Sequence, residues 1–338
     1  MQKVCILGLG AWGTALAVPL SEAGNEVVIW GRRAEAVERF NALHENCDYL
    51  PGIKVEGAVA TADMAAALRG AALVFLAVPS SAAAAVSREV ARYMDGAASD
   101  RAGTPPVFVS TCKGLEESTA QRITEVARRE LGDRFRAYTA LSGPNFAVEV
   151  AAGLPSATVV AGADESARVA VQDALMTPNF RVYTNSDTVG VEIAGALKNV
   201  IAIAVGMAEG LGLGFNARAA LITRGLAEIA RLGIALGADR YTFSGLAGMG
   251  DLVLTCTGEH SRNRRAGVAL ARGETLEQFV RRSRALVEGA GTTRCAVALA
   301  ASLSVEMPVS EKVYEVLFEK RRPGDVVPEI MTRGKKNE

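Results

Sequence analysis

Short apolar, β-branched runs recur along the first half of the chain, separated by alanine-rich stretches. "KVCILGL" opens the series as a continuous apolar run of the fully buried strand type. "EVVIW" (26 to 30), "LVFLAV" (73 to 78), "PVFVST" (106 to 111), "RAYTAL" (136 to 141), "ATVVAG" (157 to 162) and "RVYTN" (181 to 185) continue it. Between several of them lie helical stretches such as "AWGTALAVPLSEAG", which ends at Gly24, and "ESTAQRITEVARRELG". Strand, helix, strand repetition requires crossover connections, so it predicts a mostly parallel sheet covered on both faces.

After about residue 187 the pattern changes. Helices are predicted over 188–210, 216–236, 263–272, 275–283, 292–303 and 309–319, with a loop-rich centre near 245–263. The expected fold class is therefore α/β: a Rossmann-type, doubly wound, mostly parallel sheet over 1–187, followed by an all-α C-terminal domain over 188–330. The charged end of the chain, 331–338, is expected to be a disordered tail. A length of 338 residues suits two domains, and no internal repeat or low-complexity linker separates them.

Composition narrows the function classes. Hydrophobic residues make up 49% and charged residues 22%, as in ordinary globular proteins. The 37 basic residues balance the 37 acidic ones, so no global field draws the chain to nucleic acid or an anionic membrane. Any anion recognition must be local. Five widely spaced cysteines without a CxxC, and only two histidines, argue against a metal site. They suit reduced thiols in a cytoplasmic protein. "MQKVCILGLGAWG" lacks the charged start and long apolar core of a secretory signal. No membrane span is expected: the nearest stretch, 190–207, contains Glu192, Lys198 and Asn199.

The first candidate chemistry is "ILGLGAWGTALA". It places Gly8, Gly10 and Gly13 in GxGxxG spacing, directly after a strand and at the start of a helix. Gly8 permits the tight turn, Gly10 lets a pyrophosphate reach the backbone, and Gly13 lets helix and strand pack closely. Glycine turns also serve purely structural roles, and S-adenosylmethionine enzymes use related loops. The strand–turn–helix context favours a dinucleotide. The second strand ends in Gly31-Arg32-Arg33 rather than in a carboxylate. An arginine pairs with a 2′-phosphate where a carboxylate would repel it. NADP(H) is therefore the preferred cofactor, with NAD(H) as the alternative, and Arg32 is its expected reader. The bland alternative is a pair of solvated loop arginines.

Loops at the carboxyl ends of later strands add "AVPSS", "STCKGLE" with Lys113, and "LSGPNFAVE" with Gly143 and Pro144. Ligands of open α/β sheets bind beyond these ends. In the helical half, "GALKNVIAIAVG" sets Lys198 on an apolar helix face. Three readings compete: a side chain reaching solvent, an ion pair with Glu192 or another acid, or a cleft-facing proton donor with a pKa lowered by burial. Asp251 follows a flexible glycine pair and reads as a helix N-cap. "SRNRR" (261 to 265) offers either a phosphate cradle or a solvated basic patch. "LVEGAGTT" (286 to 293) reads as a glycine-rich loop that closes over a cofactor.

Taken together, "GLGAWGTALA", "TCKGLE", "SGPNFAVEVAAGLP", "ALKNVIAIAVG", "NARAALITRGLAE", "GLAGMGDLVLTCTGEHSRNRR" and "VEG" resemble the bacterial NAD(P)-dependent glycerol-3-phosphate dehydrogenases, from about residue 2 to about residue 320. The resemblance implies interconversion of dihydroxyacetone phosphate and sn-glycerol 3-phosphate, mainly as reduction for phospholipid synthesis. It places the catalytic lysine on Lys198. It implies substrate contacts at Lys113, Gly143, Asn145, Lys198, Asp251, Ser261, Arg262 and Asn263. Cofactor contacts fall on Gly8, Gly10, Ala11, Trp12, Gly13, Arg32, Lys113, Ala147, Arg262, Leu286 and Glu288. Two positions depart from common family patterns: "GAWG" lacks the more usual Ser at its second place, and Asn145 often appears as Thr or Ser. A homodimer is expected from the apolar helical half.

Rival readings are another two-domain dehydrogenase with a helical substrate half, a dinucleotide sensor without turnover, and a methyltransferase. The last predicts an acid after the second strand, where this chain has Gly31-Arg32-Arg33.

Overall fold

In the computed structural model, residues 2–94 and 103–331 are described. The first half forms β1 (Lys3–Leu7), α1 (Ala11–Glu22), β2 (Glu26–Trp30), α2 (Ala34–Leu43), β3 (Ala58–Thr61), α3 (Met64–Leu68), β4 (Ala71–Leu76) and α4 (Ala83–Met94). It continues through β5 (Val107–Ser110), α5 (Ile123–Leu131), β6 (Ala137–Ser142), α6 (Ala147–Ala151), β7 (Ser156–Ala161), α7 (Glu165–Leu175) and β8 (Phe180–Asn185). The eight strands join one sheet in the order β3-β2-β1-β4-β5-β6-β7-β8. All neighbours are parallel except β6 and β7, which run antiparallel. Chain order reverses between β1 and β4, which opens the crevice where doubly wound sheets bind ligands.

The two-residue period of β1 explains the double covering. Val4 and Ile6 enter one apolar cluster with Ala15, Leu16 and Leu20 of α1. Cys5 and Leu7 enter the opposite cluster with Val86 and Val90 of α4 and Ala127 of α5. A strand buried on both faces needs no polar alternation, which is why "KVCIL" reads as one apolar run.

From Thr188 onward the described chain is helical, with α8 (Thr188–Gly210), α9 (Gly214–Ala235), α10 (Asp251–Thr257), α11 (Arg262–Ala271), α12 (Leu276–Ser283), α13 (Glu288–Leu303), α14 (Pro308–Phe318) and α15 (Pro323–Met331). Asp187 caps α8 by accepting from the Gly190 N–H at 2.8 Å. Every residue from Gly190 to Ala208 is buried, so α8 is the axis of the helical core. It is long and apolar enough to cross a membrane, but 94% of that window is buried inside the protein.

Several sequence-based expectations change here. The centre near 245–263 is a chain of short helical turns: a 3₁₀ turn over Arg240–Ser244, a π turn over Leu246–Gly250, and then α10. Glycines 245, 248 and 250 disguised them by lowering helix propensity. The strand β3 was missed because four residues, "AVAT", on a sheet edge with Val59 55% exposed carry almost no apolar signal. The helix expected from 292 begins at Glu288, so "LVEGAGTT" is largely a helix start and not a loop. Helix α15 was not anticipated, since Pro323 and Pro328 mask it. The expected tail from 331 lies outside the described residues beyond Met331.

Candidate active site

Sheet loops and helical core meet at one buried carboxylate. Asp251, with 0% exposure, holds an ion pair on each oxygen: Oδ1 lies 2.5 Å from Lys198 Nζ, and Oδ2 lies 2.8 Å from Lys113 Nζ. Lys198 comes from the middle of α8, Lys113 from the loop after β5, and Asp251 from the first turn of α10. Thr255, one turn further along α10, accepts a second hydrogen bond from Lys198 at 2.9 Å and donates to the Asp251 carbonyl at 2.6 Å. Lys113 also donates to the Gly143 carbonyl at 2.9 Å, which ties the turn after β6 into the cluster.

Three of the earlier readings are thereby corrected. Asp251 is no N-cap: Gly250 holds that position, and the Asp251 side chain serves the lysines. Glu192 is no partner of Lys198. It accepts from Arg122 at 3.0 Å and from the Thr124 N–H and hydroxyl at 2.9 and 2.5 Å. Nor does Lys198 reach solvent, for it is 7% exposed.

Two ammonium groups around one carboxylate leave a surplus positive charge. Burial is the main influence on Lys198 and penalises its charged form; Asp251 opposes this, and Lys113 adds repulsion. The balance lowers its pKa from 10.5 to about 8. A lysine so placed both holds and releases a proton near neutrality, as an acid–base group must.

An amide relay extends from this cluster. Asn199 donates to the Lys113 carbonyl at 2.9 Å and accepts from Asn263 at 2.8 Å, and Asn263 accepts from the Gly289 N–H at 3.0 Å. So Asn263 braces α8 and α13 from the first turn of α11. Ser261 caps α11, its hydroxyl accepting from the Arg264 N–H at 3.2 Å. Arg262, the next residue, is exposed and forms no ion pair among the described residues. An unpaired guanidinium at a helix N-terminus is suited to an anion.

The dinucleotide crevice has the required shape. Gly8 adopts φ +130°, and a Cβ there would stand 2.5 Å from the Ala77 carbonyl. A Cβ at Gly13 would stand 2.0 Å from the Gly8 carbonyl, whereas one at Gly10 would meet nothing within 4 Å. The turn is thus closed on the protein side and open where a pyrophosphate would approach. No side chain caps α1 and no acid occupies its first turn, so the N–H groups of Ala11 and Trp12 are free for an anion. Two buried polar atoms nearby, Trp12 Nε1 and Asn145 Oδ1, have no partner among the described residues, although Asn145 Nδ2 donates to the Ala157 carbonyl at 2.9 Å. Helix α6, which begins at Ala147, packs on α1. The residues present therefore fit a dinucleotide.

At the edges of the crevice the placements differ. Arg32 is exposed at the end of β2 and unpaired among the described residues, whereas Arg33 bonds Asp48 at 2.9 Å. This pairing of Arg33 leaves Arg32, the expected reader, as the arginine open to a ligand. Leu286 is 41% exposed. Glu288, at the start of α13, reaches toward the Ser80 N–H at 3.4 Å. Burial raises its pKa, while Arg262, Ser80, Lys198 and Lys113 pull it down, so it shares the field of the lysine cluster. Sequence reasoning missed Thr255, whose signal was its i+4 spacing from Asp251 on one helix face. No group of three or more potential metal ligands occurs among the described residues.

Comparison with known proteins agrees with this geometry. Residues 3–168 match the family model for the N-terminus of NAD-dependent glycerol-3-phosphate dehydrogenase, and residues 187–328 match the model for its C-terminus. The glycerol-3-phosphate dehydrogenase [NAD(P)+] of Moorella thermoacetica is 47% identical over 338 residues, covering 100% of this chain and 98% of that one. The enzyme of the same name from Bacillus subtilis is 46% identical over 342 residues, covering 100% and 96%. The crystal structure of glycerol-3-phosphate dehydrogenase from Coxiella burnetii superposes with a TM-score of 0.91 at 38% identity, covering 98% of this chain and 99% of that one. A glycine turn open to a dinucleotide, a lysine cluster at the junction of two halves, and full-length likeness to these enzymes converge on one conclusion: the chain belongs to the NAD(P)+-dependent glycerol-3-phosphate dehydrogenases.

Proposed function

We propose that this protein reduces dihydroxyacetone phosphate to sn-glycerol 3-phosphate, the direction that feeds glycerophospholipid synthesis, with Lys198 as proton donor. The observation that carries the reading is the buried Lys198–Asp251–Lys113 cluster at the junction of sheet and helices. A nicotinamide dinucleotide, held at the glycine turn of Gly8, Gly10 and Gly13, would supply the hydride. As the carbonyl carbon accepts it, the carbonyl oxygen gains negative charge and needs a proton. Lys198 Nζ delivers that proton, and in the oxidative direction it takes the proton from the hydroxyl. Lys113 places a second positive charge beside the developing alkoxide. Asp251 and Thr255 fix the orientation of the Lys198 amine. Arg262 and the capped start of α11 hold the substrate phosphate, with Ser261 and Asn263 shaping that end.

The working division is a dinucleotide-binding part over 1–187 and a substrate part over 188–330, supported by the end of the sheet at Asn185 and the start of α8 at Thr188. NADP(H) is the preferred cofactor in this reading, supported by the unpaired Arg32 and the absence of an acid at the end of β2. Purified protein is expected to oxidise NADPH only when dihydroxyacetone phosphate is added, with kcat/KM higher for NADPH than for NADH. Arg32→Asp should shift that ratio toward NADH. No substrate-dependent oxidation would refute the activity, and an unshifted ratio would refute the role of Arg32.

We infer also a cytoplasmic homodimer, supported by the free cysteines and by exposed apolar side chains of the helical half, Phe215 at 81% and Leu213 at 43%. Fractionation followed by sedimentation tests both. A particle of twice the 35.3 kDa chain mass in the cytosolic fraction is expected. A monomer, or recovery with membranes, would contradict the inference.

A further inference from the structure

The run "SRNRR" contains three arginines in different surroundings. Arg262 and Arg265 are exposed, whereas the Arg264 side chain is only 11% exposed and is paired with an acid. Its Nη1 lies 2.6 Å from each carboxylate oxygen of Glu209, and its Nε donates to the Gly258 carbonyl at 3.1 Å. Glu209, in the last turn of α8, also accepts from Arg218 Nη1 at 3.1 Å. Burial works against ionisation of Glu209, yet the Arg264 hydrogen bonds and the two guanidinium charges hold its pKa below the usual carboxylate value.

The backbones are locked at the same place. A Cβ at Gly206 of α8 would stand 2.0 Å from the Arg264 carbonyl, so α8 and α11 touch there without an intervening side chain. A Cβ at Gly258 would meet the Phe146 ring, and His260 packs edge-on against that ring at 5.6 Å. The segment Gly258–Ser261, which leads into the phosphate end of α11, is thus held by α8 through Arg264 and by the sheet half through Phe146.

We propose that Glu209 and Arg264 form a latch: they are positioning residues that set the phosphate-binding start of α11 and keep the Arg264 charge away from the substrate. The inference rests on the reading that Arg262 holds the substrate phosphate. A fixed anion site forfeits little freedom on binding, and a displaced one loses its geometry. The latch therefore serves recognition of the phosphorylated substrate and not proton or hydride transfer.

The test uses the full-length enzyme with Glu209→Gln, Arg264→Lys and Arg262→Ala, assayed on dihydroxyacetone phosphate and on unphosphorylated dihydroxyacetone. Each latch variant is expected to raise KM for dihydroxyacetone phosphate roughly tenfold. Its kcat should change by less than about twofold, and its kcat/KM for dihydroxyacetone should not move. An equal loss on both substrates, or failure of both latch variants to fold, would show a general structural role and overturn the latch. Unchanged KM in both, beside a steep rise in Arg262→Ala, overturns the latch and leaves the phosphate reading standing. An unchanged KM in Arg262→Ala removes both.

Discussion

Lys198 shows how a residue's surroundings decide its chemistry. On a helix drawn alone it had three explanations. Its neighbours exclude the solvent-reaching one and merge the other two: its amine pairs with an acid, Asp251 and not Glu192, and meets Thr255 inside the protein. Burial and Lys113 weaken its hold on the proton, and Asp251 limits the effect, leaving a pKa of about 8. The sign of the pH dependence follows. Carbonyl reduction requires the protonated amine, so kcat/KM for dihydroxyacetone phosphate should be level below about 8 and fall above it, by about tenfold per pH unit. Oxidation of glycerol 3-phosphate requires the neutral amine and should rise through the same region. A reduction profile that stays level to the ordinary lysine value of 10.5 would exclude Lys198 as the donor.

Among elements, α8 and α10 carry the candidate chemistry. The apolar run of α8 was legible in the sequence because its buried length exceeds that of any strand. Helix α10 was not legible: its seven residues follow a π turn rich in glycine, and its buried Asp251 resembles a surface cap when its lysine partners, 53 and 138 positions away, are out of view. The same holds for Glu228 of α9, which is 2% exposed and caps α14 from a distance. It accepts from the Val309 N–H at 2.6 Å and from the Ser310 N–H and hydroxyl at 3.2 Å. Glu228→Ala should lower unfolding stability by about 2 kcal/mol, since it leaves helix N–H groups buried without an acceptor. An unchanged urea midpoint and slope would contradict that. Burial, opposed by these donors, raises the Glu228 pKa from 4.5 to about 7. Between those values the folded state keeps a proton that the unfolded state has lost. Wild-type stability relative to Glu228→Gln should therefore decline as pH rises from 4.5 to about 7.

For the whole molecule, a mostly parallel sheet covered on both faces was readable from alternating strand and helix signals, whereas the strand order, the short edge strand β3 and the reversed pair β7 and β8 were not. What the sequence left open was convergence. Lys113 ends a sheet loop, Lys198 lies in the axis of the helical core, and Asp251 belongs to a third segment, yet the fold closes them around one carboxylate. The motifs named these residues through family resemblance, while the distances explain why they act together. Replacing Lys198 leaves Asp251 paired with Lys113, so the variant should keep its fold and its dinucleotide crevice. The most direct test of the account is therefore turnover of Lys198→Ala with dihydroxyacetone phosphate, measured beside its affinity for NADPH. The account predicts a loss in kcat of at least about 10² with cofactor affinity retained. Near wild-type turnover with intact cofactor binding would contradict it.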